Sequence, residues 1–370
     1  MSRTINGAVM LFTALPLLPA ATLPCAAGPV VVQSALGGSI IGYDVDRTGT
    51  MGILSEYVPH GNANDVAVET FDLATGAIVK VVKKISTKDD HVVLGVVGAG
   101  AGLVETEHVG DLFVDKRTYN AIDPLSGGKF TGKWTPPLSK KDILLSASVN
   151  TGASTTAFMG FPNTGSGHTF VFASDVVGNT FGSKIEIVDD VFDFNDSPVM
   201  AYDSQSNMAF VGASVGCNPS CFSELRSIDL ASGAVGDAVR VGHGFVNGIA
   251  ADEEHGINAT TTELDFTVEF YNEKTHQLVR TVPQGATSQI NSGTDVQFDP
   301  MHKPFFVGQP FSCTGPNSSI QVYDRKCVFV ESINNLHLPA SASRIALNPA
   351  LRRGFVQSSQ DGSQLQIFSS

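Results

Sequence analysis

Three histidines, His91, His243 and His337, stand in polar stretches far apart in the chain. Three imidazoles brought to one point can ligate zinc, copper or iron. Solvated loop histidines are the alternative, and no H-x-H or H-E-x-x-H spacing singles these out. Asp295 and Arg344 each lie four residues before a recurring polar position, Asp299 and Asn348. As a pair they either satisfy each other or offer a guanidinium to a polar or anionic ligand. The stretch "DDVFDFNDSP" holds Asp189, Asp190, Asp193 and Asp196. Such a loop can collect Ca²⁺ through oxygen ligands, but the sixth-place Gly and closing Glu of an EF-hand are missing. No G-x-S-x-G elbow stands in a strand-turn-helix setting, and "GAGAG" (98–102) has no Lys-Ser/Thr after it.

The elements that must position these residues are strands. Apolar and polar residues alternate at Val68 and Thr70 against Glu69 and Phe71, and at Ile320 and Val322 against Gln321 and Tyr323. Charged residues are only 16% and Gly numbers 37, which suits short strands and tight turns. Four stretches superpose: "MAYDSQSNMAFVGAS", "IAADEEHGINATTT", "VQFDPMHKPFFVGQP" and "IALNPALRRGFVQSS". Their polar anchors, Asp203, Asp252, Asp299 and Asn348, are 49, 47 and 49 residues apart. Weaker copies precede them around Asp44, Gly98 and Asn150. A second anchor, Asp72, Asp123, Asp229, Asn272 or Asp324, marks another hairpin in each unit. Two hairpins per unit make four strands.

Four strands at a period of about 50 residues are the pattern of a β-propeller. The expected fold is all-β: a seven-bladed propeller of four-stranded antiparallel blades. Its last unit lacks an outer strand, and "PVVVQSA" from Pro29 is spare. The N-terminal strand is therefore expected to complete the last blade and close the ring.

The repeats resemble the YVTN family of seven-bladed propellers. "FDLATGAIV", "IDLASGAVG" and "YNEKTHQLV" are similar to that family's Val-x-Val-x-Asp-x-x-Thr-Gly-x-Val segment, and "AFVGAS", "FFVGQP" and "GFVQSS" to its second strand. The YVTN tetrapeptide itself is absent, so the likeness is to a diverged member and implies the fold more than any chemistry. Related propellers include lactonases, lyases and binding proteins.

The N-terminus has one basic residue, Arg3, an apolar run broken by Pro16 and Pro19, and the exit Cys25-Ala26-Ala27. That is the form of a secretory signal. Residues 1–27 are expected to be removed, leaving one domain, 28–370, in a secreted or periplasmic protein. Lipid anchoring through Cys25 is the alternative. The remaining Cys217, Cys221, Cys313 and Cys327 then suggest disulfides, of which Cys217–Cys221 with Cys313–Cys327 costs least in loop closure. Asn195, Asn258 and Asn317 each begin an N-x-S/T sequon. A net charge of −13 argues against nucleic acid and anionic membranes as partners, and no transmembrane segment is expected.

Ligands of propellers gather where loops from several blades meet at the mouth of the central channel. By register these loops hold His91, His243, Asn247, Asp295, His337 and Arg344. The expectation is a monomeric binding or scaffold module taking a small molecule or protein partner there. The alternative is a metal-assisted lactone hydrolase or lyase with a divalent ion on His91, His243 and His337. Whether the protein is an enzyme stays open on the sequence.

Overall fold

The alternation around Val68 builds the strand Ala63–Asp72, which pairs antiparallel with Met51–His60 and Ile78–Lys84. The computed structural model describes residues 31–370 apart from short stretches, the longest being 188–198, 284–294, 310–317 and 337–343; most side chains between 82 and 155 are also outside the description. Six sheets are made of strands that pair in chain order. They begin at the inner strands Ser39–Val45, Asp89–Val97, Asp142–Val149, Val199–Asp203, Val246–Asp252 and Val296–Phe298. The third carries one additional short strand, Ile185–Glu186. A last sheet joins the two ends of the chain. Ala346–Asn348, Arg353–Gln357 and Gln364–Ser369 pair in order, and Val31–Gln33 lies beside Gln364–Ser369 with Val32 opposite Leu365.

The sheets pack face to face, so the architecture is an all-β propeller of four-stranded antiparallel blades. One cluster (Ala201, Phe210, Val246, Tyr271) fills the space between the fourth and fifth sheets. Another (Phe270, Val296, Phe305, Tyr323) lies between the fifth and sixth. Phe306, Ile320, Leu347 and Phe368 join the sixth to the last, and Val32, Tyr43, Phe71 and Phe355 join the last to the first. Burying each such aromatic contributes about 1.5–3 kcal/mol. Two glycines make room for them. A Cβ on Gly354 would lie 1.9 Å from the ring of Phe368 on the paired strand, and one on Gly52 would lie 2.3 Å from that of Phe71.

The recurring polar anchors close the hairpins. At the feet of the inner strands, Asp203 accepts from the amides of Gln205 and Ser206, and Asp299 from those of Met301 and His302. Asn348 accepts from Leu351 N at 2.7 Å. In the first unit the anchor is Asp46, not Asp44: Asp46 Oδ1 takes Gly49 N at 2.9 Å, and Asp46 N bonds Met51 O as Asp299 N bonds Pro304 O. These anchors are buried. The second series behaves alike. Asp72 Oδ1 takes Thr75 N at 2.7 Å and Asp229 Oδ1 takes Ala231 N at 2.8 Å. The left-handed residue that follows is Gly76, Gly233, His276 or Cys327.

Cys327 corrects one expectation. It holds the positive-φ slot of its turn as a buried free thiol beside the Arg325 carbonyl, packed with Phe305 and Tyr323, so no Cys313–Cys327 bond is made. Burial pushes its thiol up to about 11. Cys217, Cys221 and Cys313 lie outside the described residues, as do residues 1–30. Asn258 is buried within Ile257–Thr262, which shuts its sequon to modification in the folded state, while Asn195 and Asn317 lie outside the description.

Turns of successive sheets are cross-linked. Ser204 Oγ reaches Glu253, Lys303 reaches Glu254, and Arg352 Nε donates to His302 Nε2, whose Nδ1 faces Asp299. Asn348 Nδ2 donates to the carbonyls of Asp46 and Gly49 across the seam between last and first sheets. Asn348→Ala should destabilise the protein by about 1–3 kcal/mol, because buried carbonyls and an amide lose their partners. Urea unfolding measures this; an unchanged midpoint would contradict the assigned role.

Candidate functional site

Successive residues of an inner strand alternate in direction, so those two and four places before an anchor share one side of their strand. This brings Asp295, Arg344 and Asp44 together from three sheets. Arg344 Nη2 lies 3.1 Å from Asp44 Oδ2. Asp295 Oδ2 takes the backbone N–H of Ile345 at 2.6 Å, and its Oδ1 takes that of Val296 at 2.8 Å. Gln297 Nε2 donates to Asp295 Oδ2 at 3.2 Å. The ion pair of Arg344 thus runs to Asp44, and Asp295 holds the peptide next to Arg344.

Tyr43 stands behind this group. Its hydroxyl donates to the Arg344 carbonyl and accepts from Gln357 N at 3.1 Å. Arg47 Nη2 donates to Gln297 Oε1 at 3.1 Å. That bond goes from the first sheet to the sixth, past the last sheet between them, so it crosses the inner edge of the propeller. Burial lowers the proton affinity of Arg47, and Asp44 counters it. Burial also lifts the Asp295 carboxyl to about 6, against the pull of the Ile345 amide and Arg344. Glu253, next along toward the feet of the strands, rises to about 7 through burial and then the charge of Asp203.

Of the expected site residues, Asp295 and Arg344 are brought to one place. Asn247 is half-buried on the inner strand of the fifth sheet. His243 is exposed at the end of the outer strand Val239–His243, 3.5 Å from Arg240 Nη2. His91 lies on the inner strand of the second sheet with its side chain outside the described residues, and His337 is outside them altogether, as is the acidic stretch 188–198. Among the described residues, no group of three or more His, Cys, Asp and Glu is set to hold a metal ion.

Sequence reasoning missed Arg47, Asp44, Tyr43 and Gln297. The signal was register. With the first anchor at Asp46, Asp44 falls two places before it, as Gln297 does before Asp299.

No protein-family model matches this chain, and no curated protein does. Solved structures match widely, 1060 chains in all. One belongs to a crystal structure of a mitotic checkpoint complex: TM-score 0.61, 14% identity, 99% of both chains covered. At that identity the likeness speaks for the propeller alone, a fold compatible with a binding or scaffold module. Among the described residues no helix is long and apolar enough to cross a membrane.

Arg344→Gln leaves Asp44 buried without this cation. It should cost about 1–3 kcal/mol, below the usual figure for a buried pair because Arg344 is partly exposed. Thermal unfolding of the variant beside wild type checks this, and an unaltered midpoint would show the pair to be idle.

Proposed function

We propose that the protein is an exported, monomeric propeller that acts as a binding module, taking a small polar ligand bearing a carboxylate at the mouth of the central channel. The observation that carries the reading is the meeting of Arg47 and Arg344 with Asp44, Asp295 and Gln297 at the inner edge. Two guanidiniums supply forked donors for a carboxylate, and the surrounding acids supply acceptors for the ligand's hydroxyl or amine groups. A carboxylate side chain of a protein partner has the same chemistry. The N-terminal pattern supports export, with residues 1–27 removed. The repeated capped turns support kinship with YVTN-type propellers.

Seven blades are part of the same proposal. Its support is six sheets of consecutive strands, together with the last sheet that Val31–Gln33 completes. Removing residues 28–36 should then lower the melting temperature by several degrees. A truncated protein that melts with the full one would end the closure argument.

Citrate and succinate serve as ligand probes. Each should raise the melting temperature of wild type beyond sodium chloride of equal ionic strength, by mass action on the folded state. Arg47→Gln and Arg344→Gln should lose that rise. Equal shifts in wild type and both variants would refute the site.

A further inference from the structure

The segment Ser34–Gly38 links Val31–Gln33 in the last sheet to Ser39–Val45 in the first. It lies on two glutamates of the first sheet. Glu56 Oε2 takes Gly38 N at 2.7 Å, and Glu69 Oε2 takes Ala35 N at 2.9 Å. Leu54 is opposite Glu69 and Ala67 is opposite Glu56, so the two acids are diagonal neighbours on one face. Both are fully buried, and the second oxygen of each, Oε1, has no hydrogen-bond partner. Gly38 is pressed onto them: a Cβ there would meet the Tyr57 carbonyl at 2.1 Å and Glu56 Oε2 at 2.8 Å.

The face belongs to the interface with the last sheet, where Leu54 and Phe71 pack on Val32, Phe355 and Leu365. That sheet brings no described cation to the acids. Arg344 is on Asp44, Arg352 on His302, and Arg353 on the carbonyls of Leu73 and Ala74. From the first sheet itself, Asp44 faces Arg344, Asp46 caps its own turn, and Lys84, opposite Ala67, has its side chain outside the described residues. The segment 34–38 has no titratable side chain. Two buried carboxylates with no counter-ion among the described residues resist ionising together, and one proton shared between their side chains satisfies both.

We propose that Glu56 and Glu69 form a proton-sharing pair that latches the Ser34–Gly38 segment, and with it the strand Val31–Gln33, so that the seam between first and last sheets holds in acid and loosens in alkali. The latch rests on the hydrogen bonds of this segment and is independent of any ligand. Burial and then the neighbouring Glu56 lift the Glu69 carboxyl from 4.5 to about 7. The folded state therefore holds the proton more tightly than the unfolded chain. Its stabilisation is complete below about pH 4.5 and is lost as pH rises through about 7.

Other buried acids, Glu253, Glu273 and Asp295, titrate in the same sense, so the readout must be local. Hydrogen exchange, corrected for intrinsic rates, is followed in peptides covering 31–38 and 364–369 at about pH 5 and about pH 9. In wild type, protection there should fall about ten-fold or more on going to alkali, while the strand Phe170–Asp175, remote from these acids, changes far less. Glu69→Gln keeps an acceptor for Ala35 and a donor for Glu56, and should hold its protection at alkaline pH; Glu56→Gln is the parallel variant. Protection in wild type that does not depend on pH, or a fall in both variants equal to wild type, would overturn the latch. So would full recovery of alkaline protection on adding calcium or magnesium chloride, because a divalent cation would then fill the place given to the proton.

Discussion

In the first, fourth, fifth, sixth and last sheets the inner strand ends at a short polar side chain that is buried and bonded by amides just beyond it. Apolar packing between blades is strong but has no direction. A buried acceptor is directional, because leaving it without its N–H partners is costly. Asp46, Asp203, Asp299 and Asn348 therefore fix where each hairpin turns. They also fix how one blade is set against the next, since the turns they close are joined through Ser204–Glu253, Arg352–His302 and the two Asn348 amide bonds. Slip of one hairpin by a residue would break the cap and the link together.

The inner edge follows from that geometry. With the anchors level, the positions two and four places earlier converge, and the residue types there decide the chemistry. Most blades use small or apolar residues: Ala201 and Ala250 stand two places before Asp203 and Asp252. Three neighbouring blades instead supply Asp44, Asp295, Gln297 and Arg344. The site is thus a local departure from the repeat, made where the first and last parts of the chain meet. An acidic protein can bury so many carboxyls there because burial itself makes them hold protons nearer neutrality, as at Asp295 and Glu253.

Much of the architecture was legible because it is periodic. The alternation at Val68–Phe71 and the spacing of Asp203, Asp252, Asp299 and Asn348 report strands and hairpins directly. The single-copy features were harder to read. Arg47 shows no pattern, since its meaning comes from Gln297, distant in sequence and near only after the sheets assemble. Asp44 resembled an anchor because "YDVD" offers two candidates, and only the Gly49 amide chooses Asp46. Cys327 looked like half of a disulfide by count, but its turn position and its burial against Phe305 and Tyr323 define it as a small packing residue. Glu56 and Glu69 carried no signal, because their partners are backbone amides.

Arg47 has a further consequence. It leaves the chain just beyond the foot of the first inner strand and reaches over to the sixth sheet. Held there, the guanidinium is a strut between two sheets that are not neighbours. A change at Gln297 is therefore felt at the turn after Val45 without passing through the last sheet.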